Sequence, residues 1–231
     1  QYFASILTEN GVIVPAVSFE GKMTGIDVGL THLAVTSDGS KFDNPHHLSR
    51  AANNLKRKQQ KLSRKVKGSN NRNKARVLVA RVHEHVANAS KDWLHKLSRK
   101  LVDENQVIAV EDLHVKGMMK NHNLAKAIND VGWGMFTGFL EYKAARVGKG
   151  FVKVNRFFPS SKSCSCCMHV QASMPLNIRS WRCDKCGVLH DRDINAAQNI
   201  RLEAQRMIAA GIAGTANGVT VRPIRGRKPS V

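Results

Sequence analysis

Three acidic residues, far apart in the sequence, stand at the end of an apolar strand or at the start of a helix. Asp27 lies within residues 25–29 (GIDVG), Glu111 directly follows residues 107–110 (VIAV), and Asp193 begins a predicted helix. A carboxylate at the end of a buried strand is costly unless it is paired or binds a cation. Three converging carboxylates would repel one another unless a divalent metal neutralised them. The pattern therefore predicts a site for Mg²⁺ or Mn²⁺ of the kind that two-metal phosphoryl transfer needs.

Each of these carboxylates, taken singly, also has an ordinary structural interpretation. An aspartate after a strand is most often a turn or helix-cap residue, and Asp193 could cap the helix that it begins. Asp112 and Asp191 stand close to two of the three and show how readily acidic residues occur by chance. Only the combination of the three positions favours a catalytic role.

The five cysteines of the chain are confined to one short segment, whereas a disulfide framework would spread them along the chain. Four of them form two C-x-x-C pairs: Cys164, Cys167, Cys183 and Cys186. Two such pairs close a tetrahedral four-thiolate zinc site, and Cys166 is the spare cysteine because its neighbour fits the spacing better. A closed site leaves no position for water, so this zinc is expected to be structural.

The chain is strongly basic, and its charge is unevenly distributed. It carries 37 Lys and Arg against 17 Asp and Glu among 231 residues, a formal net charge of +20. Between residues 50 and 104, sixteen basic residues stand against four acidic ones. This excess indicates a polyanionic partner, above all nucleic acid, with a solvated helix face or a membrane surface as alternatives. The expected contacts are Arg57, Lys58, Lys61, Arg64, Lys65, Arg72, Lys74, Arg76, Arg179 and Arg182.

Turn dipeptides and apolar periodicity divide the chain into elements. An Asn-Gly turn predicts a hairpin from the first two strands, and the next three are expected to form an antiparallel meander. Strands are predicted over residues 2–7, 12–17, 22–27, 33–37, 41–42, 107–110 and 151–155. Helices are predicted over residues 48–66, 78–101, 130–147 and 193–207.

This order of elements favours the α/β class. Three antiparallel strands followed by alternating helices and strands is the order of the ribonuclease H-like fold, with the basic helical hairpin and the zinc ribbon as insertions. The expected divisions are a β-hairpin over 1–20, a core over 21–160 with a helical insertion at about 47–104, a zinc ribbon over 161–190, a closing helix over 191–207 and a flexible basic tail over 208–231.

Five short motifs, in this order, resemble the RuvC-like nuclease half of transposon-encoded TnpB (OrfB) proteins, which are relatives of the type V CRISPR effectors. They are residues 25–29 (GIDVG), 34–39 (AVTSDG), 110–113 (VEDL), 160–164 (SSKSC) and 191–200 (DRDINAAQNI). The resemblance covers about residues 21–203. It implies a RuvC-type mixed sheet and RNA-guided, metal-dependent cleavage of DNA in the cytoplasm of a bacterium or archaeon.

The resemblance also assigns roles to particular residues. The family's catalytic carboxylates fall on Asp27, Glu111 and Asp193, and Asp193 is preferred over Asp191 because it precedes x-Asn-Ala. The implied partners are DNA and a guide RNA, with Mg²⁺ or Mn²⁺ for catalysis. The implied ligands of a structural Zn²⁺ are the four paired cysteines, and the ribbon that carries them is expected to bind the target nucleic acid.

Two features depart from the family's pattern. Met168 stands where the family usually has Gly after the second cysteine, so the ribbon geometry there is expected to be looser. The family also carries an N-terminal half that holds the guide RNA and reads the flanking DNA motif, and residues 1–20 would be a remnant of it.

Other functions fit these residues less well. A non-catalytic RNA- or DNA-binding regulator would be expected to lose acidic residues, and all three are present. An inactive, truncated transposon remnant stays open as an alternative. A DDE-type transposase requires the order Asp, Asp, Glu. A relaxase-type transposase requires a His-x-His pair with a nucleophilic Tyr, but His83 and His85 lie on a predicted basic helix, and the tyrosines are Tyr2 and Tyr142. No apolar stretch approaches the roughly 18 residues that cross a bilayer, so no membrane is expected as a partner.

Overall fold

The computed structural model describes residues 4, 6, 11, 13–175 and 177–212 of the chain. Its strands are β1 (Met23–Val28), β2 (His32–Thr36), β3 (Lys41–Asp43), β4 (Val107–Glu111), β5 (Gly150–Val154), β6 (Ser180–Arg182) and β7 (Leu189–Asp191). Its helices are α1 (His47–Ser63), α2 (Asn70–Glu104), α3 (Val115–Met118), α4 (His122–Val131), α5 (Trp133–Arg146) and α6 (Arg192–Ala209).

Five of the strands form one mixed sheet in the order β3-β2-β1-β4-β5. The first three strands form the predicted antiparallel meander. Strand β4 runs parallel to both β1 and β5. The carboxyl ends of β1, β4 and β5 therefore meet at one edge of the sheet, where ligand sites of α/β proteins commonly form.

Helices cover both faces of this sheet, and β4 shows why its sequence is continuously apolar. Ile108 and Val110 pack in a core with residues of α2 and α5. Val107 and Ala109 point to the opposite face and pack with α6. Because successive side chains of a strand alternate between faces, a strand that is covered on both sides must be apolar throughout.

Helices α1 and α2 are joined by residues 64–69 and pack on each other. Helix α1 has no buried residue, whereas the last third of α2 supplies Leu94, Leu97 and Leu101 to the core. With 35 residues, α2 is about 52 Å long. Most of the α1–α2 pair is therefore anchored to the sheet through one end of α2.

A residue of α4 fixes the start of α1. His46 precedes this helix in a left-handed conformation and offers no side-chain cap. Instead, Asp130 Oδ1 accepts a hydrogen bond from the Leu48 backbone N–H at 2.8 Å, and Asp130 Oδ2 accepts one from Ser49 Oγ at 2.9 Å. The unpaired N–H groups at the helix start are thus satisfied by a distant acidic residue.

The helix predicted over residues 130–147 is present as α5, but its start is misplaced. Helix α4 ends at Val131, and α5 begins at Trp133 after Gly132, which has a φ of +72°. Helix α4, which begins at His122, was not predicted. Trp133 and Phe136 of α5 are buried in the core.

The ends of the chain can be compared with the prediction only in part. The predicted strand 2–7 and the Asn-Gly turn fall largely outside the described residues, and residues 13–17 form no strand. Ser18 makes one parallel bridge to Lys149, beside the start of β5. Helix α6 continues to Ala209, two residues beyond its predicted end, and residues 213–231 of the expected tail lie outside the described part.

Candidate functional site

Asp27 and Glu111 lie side by side on neighbouring parallel strands. In the register of β1 and β4, Ile26 pairs with Val110, and the next residue on each strand is the acidic one. Both strands end at the same edge of the sheet, so the two carboxylates come from adjacent positions at that edge. The sheet thus brings together two residues that are 84 positions apart in the sequence.

Helix α6 brings the third carboxylate to this edge. Asp193 is the second residue of α6, and the helix packs closely across β1 at Gly25. A Cβ atom added at Gly25 would lie 2.1 Å from the Ala197 carbonyl oxygen and 2.6 Å from the Arg201 backbone nitrogen. Only glycine allows this approach, and the approach sets where the start of α6 lies relative to the strand ends.

The three carboxylates line one cavity of about 530 Å³. Its walls also contain four basic side chains: Arg156, Lys162, Arg179 and Arg192. Acidic and basic groups therefore face the same space, which is the arrangement that a divalent cation together with a phosphate group would need.

Burial and repulsion between neighbouring charges raise the pKa values of two carboxyl groups in this cavity. Burial, followed by the charges of Asp193 and Glu111, raises the pKa of Asp27 from its ordinary 3.8 to about 8, although Arg192 and the Val28 backbone act in the opposite direction. Burial and the neighbouring Asp112 also raise the pKa of Glu111. A cation bound between these groups would restore their charged forms.

The neighbouring acidic residues serve other contacts. Asp191 is the N-cap of α6, where it accepts hydrogen bonds from the Asp193 and Ile194 backbone N–H groups, and it pairs with Lys41 Nζ at 2.7 Å. The interpretation of Asp193 as the cap of this helix is therefore wrong. Asp112 pairs with Arg156 Nη2 at 2.7 Å and does not line the cavity.

Four cysteine thiols converge in a second cluster: Cys164, Cys167, Cys183 and Cys186. All four sulfur atoms lie within 4.8 Å of one another. Sulfur atoms of a tetrahedral zinc site, each about 2.3 Å from the metal, would be similarly close. Cys166 is exposed and lies outside this cluster, so the donor set has the number and type of ligands that a structural zinc takes.

The two cysteine turns have the same backbone shape but different residues at the critical position. Met168 follows the first pair with a φ of +60°, and Gly187 follows the second with a φ of +72°. The Met168 backbone N–H donates to the Cys164 carbonyl, and the Gly187 N–H donates to that of Cys183. A left-handed conformation is costly for a residue with a Cβ atom, so Met168 holds a strained turn.

Two buried asparagines, for which no role was predicted, connect the first cysteine turn to α6. Asn195 Nδ2 donates to the Ser163 carbonyl at 2.7 Å, and its Oδ1 accepts from the Ser165 backbone N–H at 3.0 Å. Asn199 Nδ2 donates to the carbonyls of Ser160 and Ser163. The spacing of four residues, which puts both amides on one helix face, was the available signal.

Arg192 was also missed. Its side chain is buried, and Nη1 donates to the Pro175 carbonyl at 2.8 Å, so it joins the start of α6 to the segment between the two cysteine pairs. Of the two arginines predicted in that segment, Arg179 lines the cavity and pairs with Asp193 at 3.4 Å. Arg182 instead donates to the Gly187 carbonyl at 2.7 Å and lies outside the cavity.

The basic residues predicted on the helical pair fall into two groups. Arg72 donates to the carbonyls of Leu62 and Lys65 and thereby closes the end of α1. A hollow of about 300 Å³ between α1 and α2, here called the lysine hollow, is lined in part by Lys58, Lys61, Lys65 and Lys74. The exposed side chains are Arg57, Lys61, Arg64, Lys65, Lys74 and Arg76.

Within the described residues, no helix combines the length and the apolar character that crossing a membrane requires.

Two family profiles match most of the chain. The OrfB_IS605 profile, described as "Probable transposase", matches residues 5–122. The chain belongs to this family, the TnpB family. The profile of the Cas12f1-like TNB domain matches residues 133–200, which include all four clustered cysteines.

Relatives of this TnpB-family chain carry related names. It is 46% identical over 225 residues to a "Putative RNA-guided DNA endonuclease" of Streptomyces pristinaespiralis. This match covers 97% of this chain and 54% of that protein. It is 31% identical over 226 residues to "Putative RNA-guided DNA endonuclease InsQ" of Escherichia coli K12, and this match covers 91% of this chain and 56% of that protein. The chain thus spans about half the length of these relatives.

Two solved structures share the fold at low sequence identity. "Cryo-EM structure of the Cas12f1-sgRNA-target DNA complex" matches with a TM-score of 0.57 and 18% identity, over 82% of this chain and 51% of that one. "Cryo-EM structure of CRISPR-Cas12f Ternary Complex" matches with a TM-score of 0.61 and 19% identity, over 82% and 40%. The described fold is therefore Cas12f-like.

Proposed function

We propose that this chain is the nuclease part of an RNA-guided DNA endonuclease and that it hydrolyses phosphodiester bonds. One observation carries the proposal: carboxylates from β1, β4 and α6 line a single cavity together with four basic side chains. The names of its relatives support a DNA substrate and a guide RNA as partners. Because the chain spans about half the length of those relatives, guided targeting is proposed only for proteins of the relatives' full length.

Asp27, Glu111 and Asp193 are the proposed ligands of Mg²⁺ or Mn²⁺. Their oxygen donors suit hard divalent cations, and their mutual repulsion is the feature that a bound cation would relieve. When bound there, a divalent ion would supply activation of a water molecule and stabilisation of the leaving 3′ oxygen. The protein's own part is to hold the three carboxylates at one sheet edge and to place Arg179 and Lys162 where they can bind the phosphate.

The four clustered cysteines are the proposed ligands of a structural zinc ion. The donor set leaves no open coordination position, so the site would hold the ribbon together and take no part in hydrolysis. Asn195 and Asn199 then link the ribbon to α6, which carries Asp193. On this view, residues 161–190 are a ribbon inserted into a RuvC-type core, and residues 47–104 are an inserted helical hairpin that binds nucleic acid.

Cleavage of labelled single-stranded and duplex DNA tests the proposal. Purified, zinc-loaded protein is incubated with Mg²⁺ or Mn²⁺, or with neither. The chelator EDTA is avoided because it would also remove zinc. Asp27→Ala and Glu111→Ala should each lower the cleavage rate at least a hundredfold. Asp92→Asn is the matched control, since Asp92 is exposed on α2, pairs with Lys96 and does not line the cavity, and it should retain activity.

Each result of this assay has a clear meaning. Cutting that requires both a divalent cation and Asp27 would establish the nuclease. Equal cutting by wild type and by the Asp27→Ala, Glu111→Ala double variant would refute the assignment of the site. Tight binding without cutting, in the chain and in a full-length relative alike, would favour the non-catalytic regulator.

A further inference from the structure

Phe157 is an aromatic side chain that the fold leaves in solvent. It is 86% exposed, whereas its neighbour Phe158 is half-buried against the core between the sheet and α6. Single exposed apolar residues are common and need no explanation by themselves. The position of Phe157 and the rigidity of its surroundings set this one apart.

The turn that carries Phe157 is held by hydrogen bonds on both sides. The Phe157 backbone N–H donates to Asn155 Oδ1 at 2.9 Å, and the Phe158 N–H donates to the Asn155 carbonyl at 2.9 Å. The Ser160 carbonyl, in turn, accepts from Asn199 of α6 at 2.7 Å. The ring therefore projects from a fixed turn and would lose little conformational freedom on binding a ligand.

This turn also forms part of the rim of the carboxylate cavity. The residues on either side of the ring, Arg156 and Phe158, both line the cavity, and so does Lys162. Arg179 lines the same cavity. A strand whose phosphate occupied the cavity would therefore have a base close to Phe157.

We propose that Phe157 is a stacking platform for a base of single-stranded DNA and positions that strand at the carboxylate cavity. The proposal rests on the proposed function, which brings a phosphodiester into the cavity. Aromatic rings stack on nucleobases with little sequence preference, and basic groups nearby hold the backbone. A single strand is the expected ligand because its bases present free faces, whereas the faces of bases in a duplex are already stacked.

Equilibrium binding of a short single-stranded oligonucleotide containing 2-aminopurine tests this proposal. The full chain carries Asp27→Asn so that no cutting interferes, and Phe157 is changed in this background to Ala, Leu or Tyr. Phe157→Ala should weaken binding roughly 5- to 150-fold, the range for one stacked base, and should abolish the quenching of 2-aminopurine. Phe157→Tyr should bind like the parent, and Phe157→Leu should resemble Phe157→Ala.

Two further measurements separate stacking from other roles of the ring. The slope of log affinity against log salt concentration should stay unchanged in Phe157→Ala, because the ring contacts no phosphate. Zinc content should also stay unchanged, which shows that the ribbon remains folded. Wild-type affinity and quenching in Phe157→Ala would overturn the proposal, as would an equal loss of duplex binding.

The failure of this proposal differs from the failure of the proposed function. A chain that shows Phe157-dependent quenching but no metal-dependent cleavage would keep the stacking role and lose the nuclease. A chain that cleaves DNA with unchanged KM and rate in Phe157→Ala would keep the nuclease and lose the stacking role.

Discussion

The Asp27 carboxyl group shows what it costs the protein to assemble three acidic side chains. Burial and the charges of Asp193 and Glu111 disfavour its ionised form and raise its pKa to about 8. In the absence of a divalent cation, the folded protein therefore holds a proton at neutral pH that the unfolded chain releases. A carboxyl group with such a perturbed pKa in a cavity is a candidate functional group, and this cost supports the proposed cation site.

Replacing Asp27 with Asn should make the metal-free protein more stable at neutral pH. Because the folded pKa of about 8 exceeds the ordinary 3.8, the unfolded chain releases the Asp27 proton at a lower pH than the folded protein does. The free energy of unfolding of the wild type therefore falls progressively as the pH rises between these values. The advantage of Asp27→Asn in free energy of unfolding should therefore grow from about pH 4 to about pH 8 and then level off. Denaturant unfolding of zinc-loaded, magnesium-free protein measures it, and a difference that does not change with pH would contradict the prediction.

Met168→Gly should stabilise the cysteine ribbon. Met168 has a φ of +60° and an exposed side chain, so the substitution relieves backbone strain of about 1–2 kcal/mol and removes little buried surface. A gain in zinc affinity of up to about tenfold is expected in competition with a chromophoric chelator. Gly187→Ala is the matched control: its φ is +72° and its Cβ would meet no neighbour within 4 Å, so it should weaken zinc binding. Equal affinities of all three proteins would show that these turns are unstrained.

Among the secondary-structure elements, helix α6 has the largest share in forming the site. It packs across β1, carries Asp193 and ties down the ribbon through Asn195 and Asn199. Its close approach depends on Gly25, since any Cβ there would overlap the Ala197 carbonyl oxygen. The candidate site is therefore sensitive to a residue that does not itself line the cavity.

Gly25→Ala should displace α6 and impair the site. A contact of 2.1 Å cannot be accommodated without movement of the helix backbone, and overpacking of this kind costs about 1–3 kcal/mol or more. We expect a lower thermal midpoint and a smaller stabilisation by added Mg²⁺ than in the wild type. Gly138→Ala in α5 is the control, because its Cβ would meet nothing within 4 Å. A Gly25→Ala protein with wild-type stability and Mg²⁺ response would contradict this view of the packing.

The sequence predicts the central elements well because their patterns are local. The apolar residues of β4 and the turn at Asp38-Gly39 specify strands and meander directly. The break between α4 and α5 was not predicted, because apolar residues such as Trp133 and Phe136 continue the helical pattern beyond Gly132. The cap of α1 could not be predicted from the sequence either, since Asp130 is 82 residues from Leu48 and only the tertiary fold brings them together.

The candidate site likewise has features that local patterns predict and features that only the tertiary fold shows. Residue type and spacing predict the cluster of four cysteines, and the structure places their thiols in one cluster. The acidic residues Asp27 and Glu111, at strand ends, and Asp193, at a helix start, line one cavity as predicted, and their catalytic role stays a prediction. What the sequence could not show is how side chains are used: Arg72 and Arg182 donate to backbone carbonyls, and Arg192 bridges α6 to the ribbon.

The charge of the whole molecule predicts how it binds nucleic acid. Four lysines of the lysine hollow lie on the part of the α1–α2 pair that supplies no core residue. Changing all four to Gln should make the slope of log affinity against log salt shallower by up to about 3.6 on duplex DNA, at about 0.9 for each phosphate contact. Lys96→Gln is the control, because Lys96 already pairs with Asp92. An unchanged slope in the fourfold variant would show that nucleic acid does not bind there.

Binding of Mn²⁺ tests most directly the central claim that the three carboxylates form one divalent-cation site. The zinc-loaded protein is titrated with Mn²⁺ in chelator-free buffer, and free Mn²⁺ is measured by electron paramagnetic resonance. The wild type should bind Mn²⁺, Asp27→Asn and Glu111→Gln should each weaken binding at least tenfold, and Asp92→Asn on the exposed side of α2 should bind as the wild type does. Wild-type Mn²⁺ binding by Asp27→Asn and by Glu111→Gln would contradict the claim.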